Sequence, residues 1–254
     1  MTTRTFPSDL WPAGESAPKS LQGTWAEEAA ACVDPYLQSF LTSRHPSRPG
    51  PVCPYMPAAL QSQQVLYTVG DPRATERSEA RRVVNLAEDF FHSSRRESRR
   101  FRYFAIVVLY PPETSQEFVN EIQYQSKVGA VRQGAMVGAL HPHNNAESIY
   151  GGGYYPLRTP TPTIVLRDMV PSDLQFLDQR RFSAKKRLSF LRQYLDTFGD
   201  SQLEWERQEL KRAQAEMNAG LRELERTTVR SRAVLAGIAA VGLAILILSR
   251  ASLG

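Results

Sequence analysis

Two short stretches of this chain hold the residue types able to do chemistry. The first is Pro49-Gly50-Pro51-Val52-Cys53-Pro54-Tyr55-Met56, in which prolines on both sides stiffen the loop that presents the Cys53 thiol. Soft sulfur held this way suits haem iron, as a ligand or a regulatory contact. A buried structural cysteine is the plainer alternative, and no CxxC spacing surrounds Cys53 to suggest a structural zinc. The second stretch runs from Met136 through His141-Pro142-His143 to Asn145, an apolar run that delivers an imidazole to the mouth of a loop. Ligands commonly sit at such strand ends in α/β folds. Pro142 between His141 and His143 fixes the backbone there. His141 could be an axial metal ligand, a general base, or a turn residue bonding its own backbone. Downstream, Tyr154-Tyr155-Pro156-Leu157-Arg158-Thr159-Pro160 places an arginine on another stiff segment. Arg158 could clamp a carboxylate or a haem propionate through two parallel hydrogen bonds. Tyr154 or Tyr155 could donate a hydrogen bond to whatever is bound.

Helices and strands must alternate to position these groups. Trp25 to Ser43 has a helical apolar face through Ala29, Val33, Leu37 and Leu41, with Thr24 as N-cap and Pro35 as a disturbance. Five prolines in residues 45–60 mark a constrained loop. Gln64–Val69 reads as a strand and Arg77 to Arg96 as a helix. Tyr103–Tyr110 (YFAIVVLY) is the best candidate for a central strand buried on both faces. Thr114 to Val131 reads as a helix, with Glu117 in the capping-box position after Thr114. Ala135–Leu140 and Thr163–Arg167 are further strands, and three successive glycines, Gly151–Gly153, fall in the loop between them. Ser183 to Phe198 has an amphipathic pattern through Leu188, Leu191, Leu195 and Phe198, with Ser183 as cap and Gly199 as stop. The class is α/β or α+β, with a mixed sheet of four or more strands and flanking helices.

The flanks differ in character. Residues 1–23 are rich in Pro, Ser, Thr and Gly and read as a flexible arm. Residues 24–199 form the globular domain. Residues 200–230 form a highly charged helical stalk, with Leu203, Leu210, Met217 and Leu224 spaced by seven. The intervening Glu206, Ala213 and Gly220 make a poor coiled-coil seam. From Ala233 to Leu248 the chain is uncharged and apolar, bounded by Arg230 and Arg232 on one side and Arg250 on the other. These sixteen residues rise about 24 Å as a helix, and snorkelling arginines extend that to a workable membrane span. Residues 231–251 therefore read as a single-pass tail anchor in the lipid bilayer. The basic flank places the N-terminal part in the cytoplasm.

Composition narrows the function classes. The formal charge of +5 is modest, and the clusters at Arg95–Arg102 and Arg180–Arg187 lack the interleaved aromatics of a single-strand nucleic-acid binder. Two cysteines do not make a disulfide scaffold. No GxSxG elbow, P-loop, HExxH or dinucleotide-binding glycine motif is present.

The GPVCPYMPAAL segment, the apolar strand leading into HP, and the YPLRTPTPTIVLRDMVPSDLQFL segment resemble an uncharacterised bacterial family of about this length. More distantly, Cys53-Pro54-Tyr55 and Ala139-Leu140-His141-Pro142 resemble the two motifs of the YqcI/YcgG family. That family includes haem-dependent N-oxygenases acting on guanidino or amine nitrogens. The resemblance implies haem as cofactor, His141 as its axial ligand, and Cys53 and Pro54 shaping the pocket. In a haem protein built this way, Arg158 would be the anion clamp, and Tyr154 or Tyr155 would donate a hydrogen bond to bound oxygen or substrate. Three expectations follow: a membrane-tethered haem protein, a membrane-anchored binding module without catalysis, and a Cys/His-dependent hydrolase or transferase. A small-molecule substrate and a homo-oligomer are compatible with each.

Overall fold

Five consecutive apolar residues, Ala105–Leu109 (AIVVL), are buried along their whole length and form the centre of a mixed sheet. The computed structural model describes residues 9–92, 103–177, 181–199, 204, 207–226 and 228. The chain divides into two compact units at Val170/Pro171, and the helix after Ser183 belongs to the second.

The first unit carries strands β1 (Trp11–Pro12), β2 (Val65–Val69), β3 (Ala105–Leu109), β4 (Ala135–Leu140) and β5 (Thr163–Asp168), in the order β1-β2-β3-β5-β4. β2 and β3 are parallel, whereas β5 lies antiparallel between β3 and β4. Helix α1 (Trp25–Pro35) precedes α2 (Met56–Gln61), α3 (Glu76–Ala87) links β2 to β3, and α4 (Gln116–Arg132) links β3 to β4. The two-residue side-chain period divides the core. Ile106, Val108, Val137, Ala139, Ile164 and Leu166 pack with Val83 of α3 and Val119 and Ile122 of α4. Val65, Tyr67, Val107, Leu109 and Leu140 pack on the other side with Val33 of α1, Tyr36 and Leu37. Close contact of α3 and α4 requires Gly129, where a Cβ would lie 2.5 Å from the Val84 side chain.

Several local expectations need correction. Within the supposed arm of residues 1–23, Trp11 and Pro12 pair antiparallel with Tyr67 and Leu66 of β2. Trp11 is 3% exposed, its ring 5.6 Å from that of Tyr67. Burial of one large aromatic outweighs the loose composition around it, and proline is tolerated on an edge strand. The proline-rich loop contains α2, since Pro57 lies in its first turn, where a missing N–H costs nothing. The cap of α4 is Ser115, whose Oγ accepts from the Phe118 N–H at 3.1 Å. Thr114 is instead held in a turn by its own N–H to the Pro111 carbonyl. At Pro35 the α-helix gives way to a wider π turn, Tyr36–Phe40. The predicted 77–96 helix is α-helical over Glu76–Ala87 and π-type over Glu88–His92; its last residues lie outside the described ones.

The second unit holds a 3-10 turn (Pro171–Phe176), α5 (Ala184–Phe198, capped by Ser183) and α6 over residues 207–226. Phe190, Leu191 and Tyr194 are the buried face of α5, and the Tyr194 hydroxyl donates to the Pro171 carbonyl at 2.6 Å. The stalk does not stand alone along α6: a Cβ on Gly220 would lie 3.0 Å from Leu188 of α5, and Arg187 pairs with Glu223 at 3.2 Å. Ala213, one heptad before Gly220, is fully buried. The small residues that spoil a coiled-coil seam are thus the ones that admit a neighbouring helix. Among the described residues no helix is long and apolar enough to cross a membrane; the apolar run at 233–248 lies outside them.

Candidate functional site

The described cleft that combines a cation with aromatic walls lies where α1 and its π turn meet the loop after β4. Cys32, Pro35, Tyr36 and Phe40 form one wall, and Pro142 with Arg158–Pro160 the other, around a volume of about 440 Å³. That volume is in the range of small-molecule sites, roughly 300–1,000 Å³. The Tyr36 hydroxyl donates to the Pro156 carbonyl at 2.6 Å and ties the walls together. Burial first, then the neighbouring Cys53 and Tyr154, push this phenol well above its ordinary range, so it stays protonated.

Arg158 is held but not neutralised. Its Nε donates to the Asn144 carbonyl at 2.9 Å, and Nη2 reaches Asn145 Oδ1 at 3.5 Å. The guanidinium lies 3.9 Å over the Tyr155 ring, while the Tyr155 hydroxyl donates to Glu147 at 2.9 Å. Among the described residues no carboxylate forms an ion pair with Arg158. Asn144 is itself buried and fastened by its side-chain amide to the Ala139 carbonyl at 3.0 Å. Thr159 and Thr161 continue the scaffold: Thr161 Oγ1 donates to the Tyr110 carbonyl at 3.0 Å, at the end of β3. A guanidinium fixed at Nε and stacked on a ring keeps its terminal N–H groups oriented for an incoming anion.

His141 lies elsewhere. It continues the alternation of Val137 and Ala139, whose side chains face α3 and α4, and its Nε2 is 3.3 Å from Asn120 of α4. The ring is 4% exposed, and Nδ1 is buried with no partner. Burial holds this imidazole below its ordinary pKa, helped by His143 and opposed by Glu117. Cys53 is half-buried on the α1 side of the sheet, its N–H donating to the Leu41 carbonyl at 2.8 Å. Pro54 is exposed beside it. The sheet therefore separates His141 from Cys53, and neither residue lines the cleft of Arg158. As arranged, His141 is buried and lies on the opposite face of the sheet from Cys53. Among the described residues no group of three or more His, Cys, Asp or Glu could hold a metal ion.

A third polar cluster joins the loop at 44–53 to the loop at 144–162. His45 is 3% exposed; its Nδ1 accepts from the Ser47 N–H at 3.0 Å, so Nε2 carries the proton and donates to Ser148 Oγ at 3.2 Å. This polarity is the reverse of a general base activating a serine. Tyr150 and Tyr154 meet the imidazole edge-on at 5.6 and 5.0 Å. Arg48 caps the Tyr150 ring at 5.1 Å and donates to the carbonyls of Pro49, Pro51 and Val52. Among the described residues neither cysteine has an imidazole partner, so no nucleophile–base pair is assembled.

Of the residues singled out in the sequence, the structure joins Arg158 and Tyr155 in one place and leaves His141, Cys53 and Pro54 apart from it. Cys32, Tyr36, Phe40 and His45 escaped notice. Tyr36 and Phe40 lie off the predicted apolar face of Ala29, Val33, Leu37 and Leu41, and nothing local shows that a loop more than a hundred residues later covers Tyr36.

No curated protein and no solved structure matches the chain. A family model matches residues 30–209, from the middle of α1 into α6. The chain belongs to the family described as a domain of unknown function, DUF6875.

Proposed function

We propose that this protein is a membrane-tethered binding protein whose cleft takes a small molecule with a flat apolar body and an anionic end. The observation that carries the reading is Arg158: a guanidinium fixed by Asn144 and stacked on Tyr155, beside an aromatic cleft, with no described carboxylate to neutralise it. Tyr36, Phe40 and the three prolines of the cleft supply apolar, rigid surface for the body of the ligand. The uncharged run at 233–248, bounded by arginines, supports a C-terminal anchor in the bilayer with the N-terminal domain on the cytoplasmic side. The reading is one of binding: among the described residues the cleft presents a cation and apolar walls.

The test uses the full chain in detergent micelles, titrated with benzoate, indole-3-acetate and phenyl phosphate, each against its neutral amide or alcohol counterpart. The acids are expected to bind and the neutral forms to bind at least about tenfold more weakly, as loss of a charge-assisted hydrogen bond predicts. Arg158→Gln should erase that preference and Phe40→Ala should weaken every ligand. Equal binding of acids and neutral counterparts, or an unchanged preference in Arg158→Gln, would overturn the reading.

A further inference from the structure

We propose that His45 is a proton-sensitive latch that fastens the 147–154 loop to the 44–53 loop in its neutral form and releases it when protonated. Three contacts across these loops meet at one ring, and Arg48 over Tyr150 adds another. His45 Nε2–H donates to Ser148 Oγ, the Tyr150 and Tyr154 rings flank the imidazole, and Gly151 approaches so closely that a Cβ there would lie 2.8 Å from Ser47 Oγ. The latch works through hydrogen-bond polarity. Nδ1 accepts the Ser47 N–H, and a second proton on the ring turns that acceptor into a donor facing a donor. The charged groups on these loops do not favour the resulting cation. Arg48 on its own loop acts against a charge on the ring, and Arg44 on that loop is exposed. Tyr150 and Tyr154 face the ring from the other loop, and Glu147 of that loop is engaged by Tyr155. Among the described residues no carboxylate contacts the imidazole.

Burial, and then Arg48, hold this histidine below its ordinary value of 6.5. The sign follows from that direction. The closed loop binds the proton less well than the released one, so closure is complete above about 6.5 and is lost as the pH falls toward the depressed value. Release reaches the cleft by two routes, Tyr154 against the cleft residue Phe40 at 6.0 Å, and Tyr155 beneath Arg158 at 3.9 Å. Acid therefore loosens one wall of the cleft. The latch itself does not depend on the identity of the ligand, and its test is made without one.

The test is hydrogen–deuterium exchange of the full chain in detergent at pH 7.5 and 5.0, corrected for the intrinsic rate at each pH. The amides to follow are in 146–154, where the Ser148 N–H bonds the Tyr154 carbonyl and the Gly151 N–H bonds the Ser148 carbonyl. Protection there is expected to fall about tenfold or more at pH 5.0, the change that loss of one buried hydrogen bond implies, while amides of β3 stay protected. His45→Gln keeps a donor and an acceptor but cannot gain a proton, and should abolish the pH step with the loop still closed. His45→Ala should leave the loop open at both values. Equal protection of the wild type at both pH values, or a pH step that survives in His45→Gln, would overturn the latch; failure of the acid titrations above would leave these exchange results unaffected.

Discussion

Replacing His141 with leucine should stabilise the protein, although His141 is the residue that the sequence makes most conspicuous. Its Nδ1 is buried without a partner, and such an orphaned group costs about 1–3 kcal/mol. The substitution also removes the Nε2 contact with Asn120, but that contact is long at 3.3 Å and Asn120 is exposed, so its amide returns to water. The lost bond is therefore at the low end of about 0.5–1.5 kcal/mol. Leucine has similar volume and suits the neighbouring apolar surface of Val137 and Ala139. The balance is a gain of about 1 kcal/mol, or roughly 2–4 °C in Tm for a domain of about 150–250 residues. A second signature is pH dependence. The folded state holds the imidazole below its ordinary value, chiefly by burial, so the unfolded chain binds the proton better and the wild type loses stability as pH falls below about 6.5. Leucine carries no such linkage, and His45 contributes equally to both proteins. The gap should widen between pH 7.5 and 5.0. Thermal unfolding of the full chain in detergent, followed by near-ultraviolet circular dichroism, measures both quantities. A variant less stable than wild type by more than about 1 kcal/mol at pH 7.5, or a gap that does not change with pH, would show that the ring nitrogens are partnered in the fold.

Two further outcomes rest on other parts of the first unit. Tyr110→Phe should cost about 1.5–3 kcal/mol in urea unfolding, because the Tyr110 hydroxyl donates to the buried Glu79 at 2.7 Å while Arg82 takes both carboxylate oxygens. Combining it with Glu79→Gln should be clearly less than additive, and strict additivity would mean that the two groups do not interact. Hemin added to the full chain should give no Soret band that depends on His141, since the ring is buried. A band that disappears in His141→Ala would show that the strand end rearranges to expose the ring, and would bear out the haem expectation.

Much of the fold was legible because burial and alternation leave local marks. The run Tyr103–Tyr110 holds the central strand Ala105–Leu109, Ala135–Leu140 appears with the bounds expected of it, and Ser183 caps α5 as its position suggested. Other details followed side-chain competition that no window of sequence reveals. Trp11 found a place beside Tyr67, and Thr114 was drawn into a turn that passed the cap to Ser115. The site was less legible still. Arg158 and Tyr155 are three residues apart and announce a stiff, cationic segment, but their partners in the cleft, Tyr36 and Phe40, look like ordinary aromatics of a helix, off its apolar face.

Composition and spacing alone determined the broad character of this protein: alternating helices and strands, stiff proline loops carrying Cys53 and Arg158, and an apolar run near the C-terminus. The tertiary structure decided which of these groups meet. Insertion of β5 between β3 and β4, with the two-residue period of β4, sends His141 toward α4 and leaves Cys53 on the opposite side of the sheet. The loop that follows β4 folds back over the end of α1 and its π turn, bringing Arg158 to Tyr36 and Phe40 and His45 to Ser148. Those pairings are long-range, set by which face of the sheet each segment covers, and the chemistry available to the protein follows from them.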